Sequence, residues 1–147
     1  MVQTIHSDTI DLLRECNAGV KMGVTSIEEV IDKVESKRLL DRLNRCKDEH
    51  QRLGSEIHEL LNEYHDEGKD PNPMAKGMSW IKTNVMMSVK ESDATIADLI
   101  TDGCNMGVKS LYRYLNQYAA ADEKTKDITK RLIKIEEDVI TDMREYL

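Results

Sequence analysis

An unbroken apolar seam constrains this chain more than any other feature. Leu39, Leu43, Cys46, His50, Leu53, Ile57, Leu60 and Tyr64 follow one another at steps of four and three residues. That period belongs to one face of an α-helix, and over such a length it describes a helix laid along partners in a bundle. A strand would need alternation by two, which the segment lacks. One polar side chain, His50, sits in the middle of the seam.

Three further stripes share the period. The first helix carries Ile10, Leu13, Val20, Val24, Ile27, Ile31 and Val34, with Cys16 or Asn17 filling its one gap. A third carries Ala97, Ile100, Cys104, Gly107, Leu111, Tyr114 and Tyr118, and a fourth Ile128, Leu132, Ile135, Val139, Met143 and Tyr146. Composition agrees: there is no Phe, aromatics are 4% and charged residues 33%, a mixture that suits helices better than sheets. Ser7 or Asp8 can cap the first helix, and the pattern breaks near Glu35 and Ser36. Gly68 and Asp70-Pro71-Asn72-Pro73 end the second helix. Ser92 or Asp93 can cap the third, and Asp122 starts the fourth.

These signals predict one all-α domain over residues 1–147. The short links within each pair make antiparallel hairpins at 8–67 and 92–147, with turns near Glu35–Ser36 and Ala121–Glu123. A connector at 68–91 holds a short crossover helix with Met74, Met78, Ile81, Val85 and Val89 on one side. Four helices with one long crossover is the connectivity of a ferritin-like four-helix bundle. An internal repeat supports it: Cys16-Asn17-Ala18-Gly19-Val20-Lys21 returns as Cys104-Asn105-Met106-Gly107-Val108-Lys109, which implies a duplicated hairpin.

A di-metal site in such a bundle takes Glu from two helices and Glu-x-x-His from the other two, all facing inward. With the first turn near residue 35, His50 is expected to face Val20, so a valine fills one Glu slot. The second helix reads Lys47-x-x-His50, with Lys for Glu. On the other hairpin, Cys104 fills the Glu slot and the pair reads Glu136-x-x-Val139, with Val for His. His50, Glu136 and Cys104 remain as candidate ligands for iron, manganese or zinc, and three mixed donors can hold at most one ion. The stronger expectation is no bound metal and no cofactor. His50 is then a buried neutral imidazole satisfied by Asn17 or a backbone carbonyl, Asn17 being favoured, with a depressed pKa, so that acid destabilises the fold. Cys104 is then a small buried hydrophobe.

Weaker constellations are His58 with His65, Tyr112 with Tyr114 and Tyr118, and the carboxylate run Glu136-Glu137-Asp138, each more readily a solvated face or packing. No phosphate loop and no nucleophile elbow occurs. A net charge of -7 disfavours nucleic acid. No secretory signal precedes the first helix, and no run approaches the ~20 apolar residues of a membrane span. Three widely spaced cysteines argue for a reducing cytoplasm. Residues 74–90, with Trp80, Lys76, Lys82 and Lys90, could lie on a membrane surface, but their basic face is sparse and covering the end of the bundle is favoured.

Lys76-Gly77-Met78-Ser79-Trp80-Ile81-Lys82 through Val89-Lys90, then Asp102-Gly103-Cys104 and Tyr112-Arg113-Tyr114-Leu115, resemble a bacterial ferritin-like family of unknown function, related in architecture to rubrerythrins. Leu12 through Leu61 resembles that family's first hairpin. Members often carry Glu after the helix glycine, where this chain has Gly19-Val20 and Gly103-Cys104. The resemblance implies the fold, and oxidase or peroxidase chemistry only as an alternative. The expected function is a non-catalytic bundle acting through protein contacts or self-association as a homo-oligomer. The alternatives are a divergent ferritin-like metalloprotein and a peripheral membrane protein.

Overall fold

The computed structural model describes residues 2–64, 66 and 92–147. Helix α1 (Val2–Val30) ends in a 3-10 turn (Ile31–Lys33), and α2 (Lys37–Glu63) follows. Helices α3 (Asp93–Gln117) and α4 (Glu123–Met143) form the second pair, and a 3-10 turn (Arg144–Tyr146) closes the chain. Helix α1 packs along α2 and α3 along α4, while α1 also touches α3 and α4, and α2 touches α4. The result is an all-α bundle of two antiparallel hairpins, with both turns where the sequence predicts them. The crossover helix, the amphipathic face of 74–90 and His65 lie outside the described residues. Among the described residues, no helix is long and apolar enough to cross a membrane.

Each hairpin ties down the turn of the other. The Asp93 carboxylate at the start of α3 accepts the backbone N–H groups of Glu35 and Ser36, both at 2.9 Å. At the far end, Asp8 accepts from the Ala120 N–H at 3.0 Å and Thr9 Oγ1 from the Asp122 N–H at 2.9 Å. Helix α3 therefore begins where α2 begins. Helices α1 and α4 run one way, α2 and α3 the other, and the link from α2 to α3 joins opposite ends of the bundle. That is the single-crossover connectivity that the sequence predicts.

The same bonds correct the start of α1. Asp8 is not an N-cap: its carboxylate is spent on the other hairpin, and the helix begins at Val2. True caps stand at Ser36, Ser92 and Asp122, whose side chains accept from Leu39, Thr95 and Thr125 N–H. At its other end α1 stops at Val30, short of the predicted Val34, yet Ile31 and Val34 still pack on the core.

The core divides at mid-height. One cluster gathers Leu12, Leu13, Cys16 and Val20 with Leu53, Ile57, Leu60, Leu61, Leu111, Ile128, Leu132 and Ile133. The other gathers Ile27, Val30, Leu39, Leu43 and Cys46 with Ile96, Ala97, Ile100, Val139 and Met143. Between them each helix skips one level: Gly23 on α1, His50 on α2, Gly107 on α3, and Glu136 on α4. At about 1.5–3 kcal/mol per buried aliphatic side chain, the two clusters supply most of the drive to fold, and the skipped level supplies little of it.

A buried His–Glu layer as candidate functional site

The skipped level is polar because two of its four helices bring ionisable groups inward and the other two bring glycine. His50 is 2% exposed and Glu136 6%. Nε2 of His50 stands 3.8 Å from Oε1 of Glu136, within ion-pair range and too long for a hydrogen bond. Glycine creates the room. A methyl group added at Gly23 would sit 2.7 Å from His50 Cδ2 and Nε2, and one at Gly107 would overlap the Glu136 carboxyl.

His50 Nδ1 lies 2.8 Å from the Cys46 carbonyl oxygen one turn back. A carbonyl only accepts, so Nδ1 carries the hydrogen. The Cys46 thiol lies further off, at 3.5 Å from the same nitrogen. Thiol, imidazole and carboxyl therefore line up as in a Cys–His–acid relay. The relay cannot run, because Nδ1–H is spent on a carbonyl and leaves no base facing the sulfur. Among the described residues, neither His50 Nε2 nor Glu136 Oε2 finds a hydrogen-bond partner.

Electrostatics follow from burial and this pairing. Burial pulls the His50 pKa down, but the Cys46 side chain and Glu136 outweigh it and raise the value to about 10. Glu136 is also raised, by burial first, with His50 opposing. Both directions describe one state, a pair that keeps one proton and no net charge across neutral pH. Burial pushes the Cys16 thiol up to about 12 and holds Cys104 well above its usual range.

Three sequence expectations change here. Of the two partners expected for His50, the structure has the carbonyl, that of Cys46, with Glu136 facing, and not the favoured Asn17. Its pKa is raised, not depressed, so the expected acid sensitivity has the wrong sign. The hairpin register also differs by about one turn, since Gly23 faces His50 while Val20 faces Gly54. Val20 and Val139 consequently lie in different apolar clusters, not on the His50 level.

Of the three candidate ligands, His50 and Glu136 come together. Cys104 is half-buried against the second cluster, close enough for Glu136 to raise its pKa. Among the described residues, no three His, Cys, Asp or Glu side chains converge to hold a metal ion. The side chains at this level do not fit the carboxylate-rich set of a di-iron centre. Glu137 and Asp138 point to solvent, Asp138 pairing with Lys134 at 2.6 Å. His58 is exposed. Tyr114 and Tyr118 stack at 6.3 Å against the first cluster while Tyr112 points to solvent, so the three do not converge.

An open cleft of 710 Å³ lies where α2 begins and α4 ends, lined by Lys37, Arg38, Asp41, Arg42, Arg45, Asp142, Glu145 and Tyr146. Its arginines are paired: Arg42 and Arg45 with Asp142, and Arg38 with Glu145. No protein-family model, curated protein or solved structure matches the chain.

Proposed function

We propose that this chain is a ferritin-like helical bundle that runs no reaction at its centre and acts through its outer surface, by self-association or by holding a protein partner. One observation carries the reading. At mid-height, where bundles of this connectivity place inward-facing carboxylate and histidine ligands, His50 and Glu136 are closed in by the glycine faces of α1 and α3. A substrate would need an opening there, and the helices fill it.

The outer surface has groups suited to contacts. Met106 and Tyr112 on α3 are 55% and 50% exposed, more than large apolar side chains usually are. The three cysteines are free thiols, which supports a reducing compartment such as a bacterial cytoplasm. Sedimentation of the full chain over a wide concentration range tests self-association. The reading expects a larger species that dissociates on dilution and is weakened by Met106→Glu. A monomer at every concentration would leave only the partner-binding form, which co-purification from the native source then decides.

A further inference from the structure

Glu136 comes from one hairpin and His50 from the other, so the two hairpins face each other at mid-height through an imidazole and a carboxyl. The state of that pair follows from its neighbours. Nδ1–H is fixed by the Cys46 carbonyl at 2.8 Å, which leaves Nε2 facing Oε1 at 3.8 Å. With no further proton, a lone pair would face a carboxylate and a net negative charge would sit between two apolar clusters. With two, a net positive charge would sit there. Either is costly to bury, and one proton makes the pair neutral.

Among the described residues, the groups that act on the pair are each other and the Cys46 thiol, with no compensating charge beside them. From α1 comes Gly23, with the Cys16 thiol further along in the first cluster, from α2 the Cys46 thiol, and from α3 Gly107 and the Cys104 thiol. Cys16 and Cys104 stay uncharged because burial raises them. Arg42, further along α2, acts on Cys104 and is itself held by Asp142.

We propose that His50 and Glu136 form a one-proton latch between the hairpins: the folded bundle holds a single proton on the pair, and losing it to alkali opens the bundle at mid-height. The latch uses no group of the outer surface and stands or falls apart from the binding role proposed above. The raised pKa of His50 agrees with it.

Two measurements on the full chain test the latch. In the first, the ¹⁵N imidazole signals of wild-type protein are followed from pH ~6 to ~8.5, where a free histidine titrates. Free imidazole added to the same sample should shift through its titration while His50 stays flat as a doubly protonated or acid-bonded ring. A His50 signal that titrates in step with the free imidazole would overturn the proposal. In the second, proton release on urea unfolding at pH ~8 is compared between wild type and Glu136→Gln, whose amide can donate to a neutral Nε2. Wild type should release about one more proton per chain. Equal release would overturn the latch, and should the variant not fold, the first measurement decides alone.

Discussion

Gly19 and Gly23 lie one turn apart on α1 and obey opposite rules. In an open helix interior, glycine costs about 1 kcal/mol relative to alanine. At Gly19 a new methyl group would meet only Leu132, at an ordinary 3.8 Å. Gly19→Ala should therefore raise stability by about 0.5–1 kcal/mol in urea titration. At Gly23 the same methyl group would strike the His50 ring, and Gly23→Ala should cost about 1–3 kcal/mol. Equal effects at both sites would mean that His50 does not fill the space beside α1. The repeated hexapeptide pairs Gly19 with Gly107, yet Gly23 does for His50 what Gly107 does for Glu136. The repeated hexapeptide is legible in the sequence; the register in which its glycines pack is not, because glycines a turn apart look alike until a partner side chain is placed against one of them.

The pH dependence also belongs to single residues. A folded pKa raised above the unfolded value near ~6.5 stabilises fully below ~6.5, and that contribution is lost as pH rises through the folded value. The His50 value of about 10 sets the upper end of the window. Wild type should thus lose stability between neutral and alkaline pH beyond any loss in Glu136→Gln. Urea midpoints at several pH values check this, and a wild type that instead weakens between pH ~7 and ~5.5 would restore the neutral-histidine expectation. The sequence marked both halves of the pair, His50 as the odd member of a seam and Glu136 as half a ligand motif. Two separate half-motifs gave no sign that they meet, since inter-hairpin register is set by packing rather than by local pattern.

At the scale of elements, the apolar periods made all four helices and both turns readable, while the ends of α1 were not. Asp8 and Ser7 look like capping residues because a cap and a tertiary clamp use the same side-chain chemistry. The bonds from Asp93 to Glu35 and Ser36 show that clamp from the other side. They are charge-assisted and bridge hairpins, so they act on assembly more than on any one helix. Asp93→Ala should cost about 1–2 kcal/mol and speed amide exchange at Glu35 and Ser36, leaving the helix content of α3 intact because Ser92 still caps it. Unchanged exchange at those two amides would show that the turn is held some other way.

For the whole molecule, the bundle and its connectivity were written in four amphipathic stripes, and the fate of its centre was not. The chain keeps one ionisable group from each hairpin at the level where related connectivities hold metal, and seals them between two apolar clusters with glycine on either side. Two helix-interior glycines and a buried ionisable pair cost stability, and the surface role proposed above asks no access of this centre. The most direct test is elemental analysis of untagged protein from its native source. The account predicts iron, manganese and zinc far below one per chain, unchanged in His50→Gln. A stoichiometric metal that disappears in His50→Gln would contradict it and make the His–Glu layer a working centre.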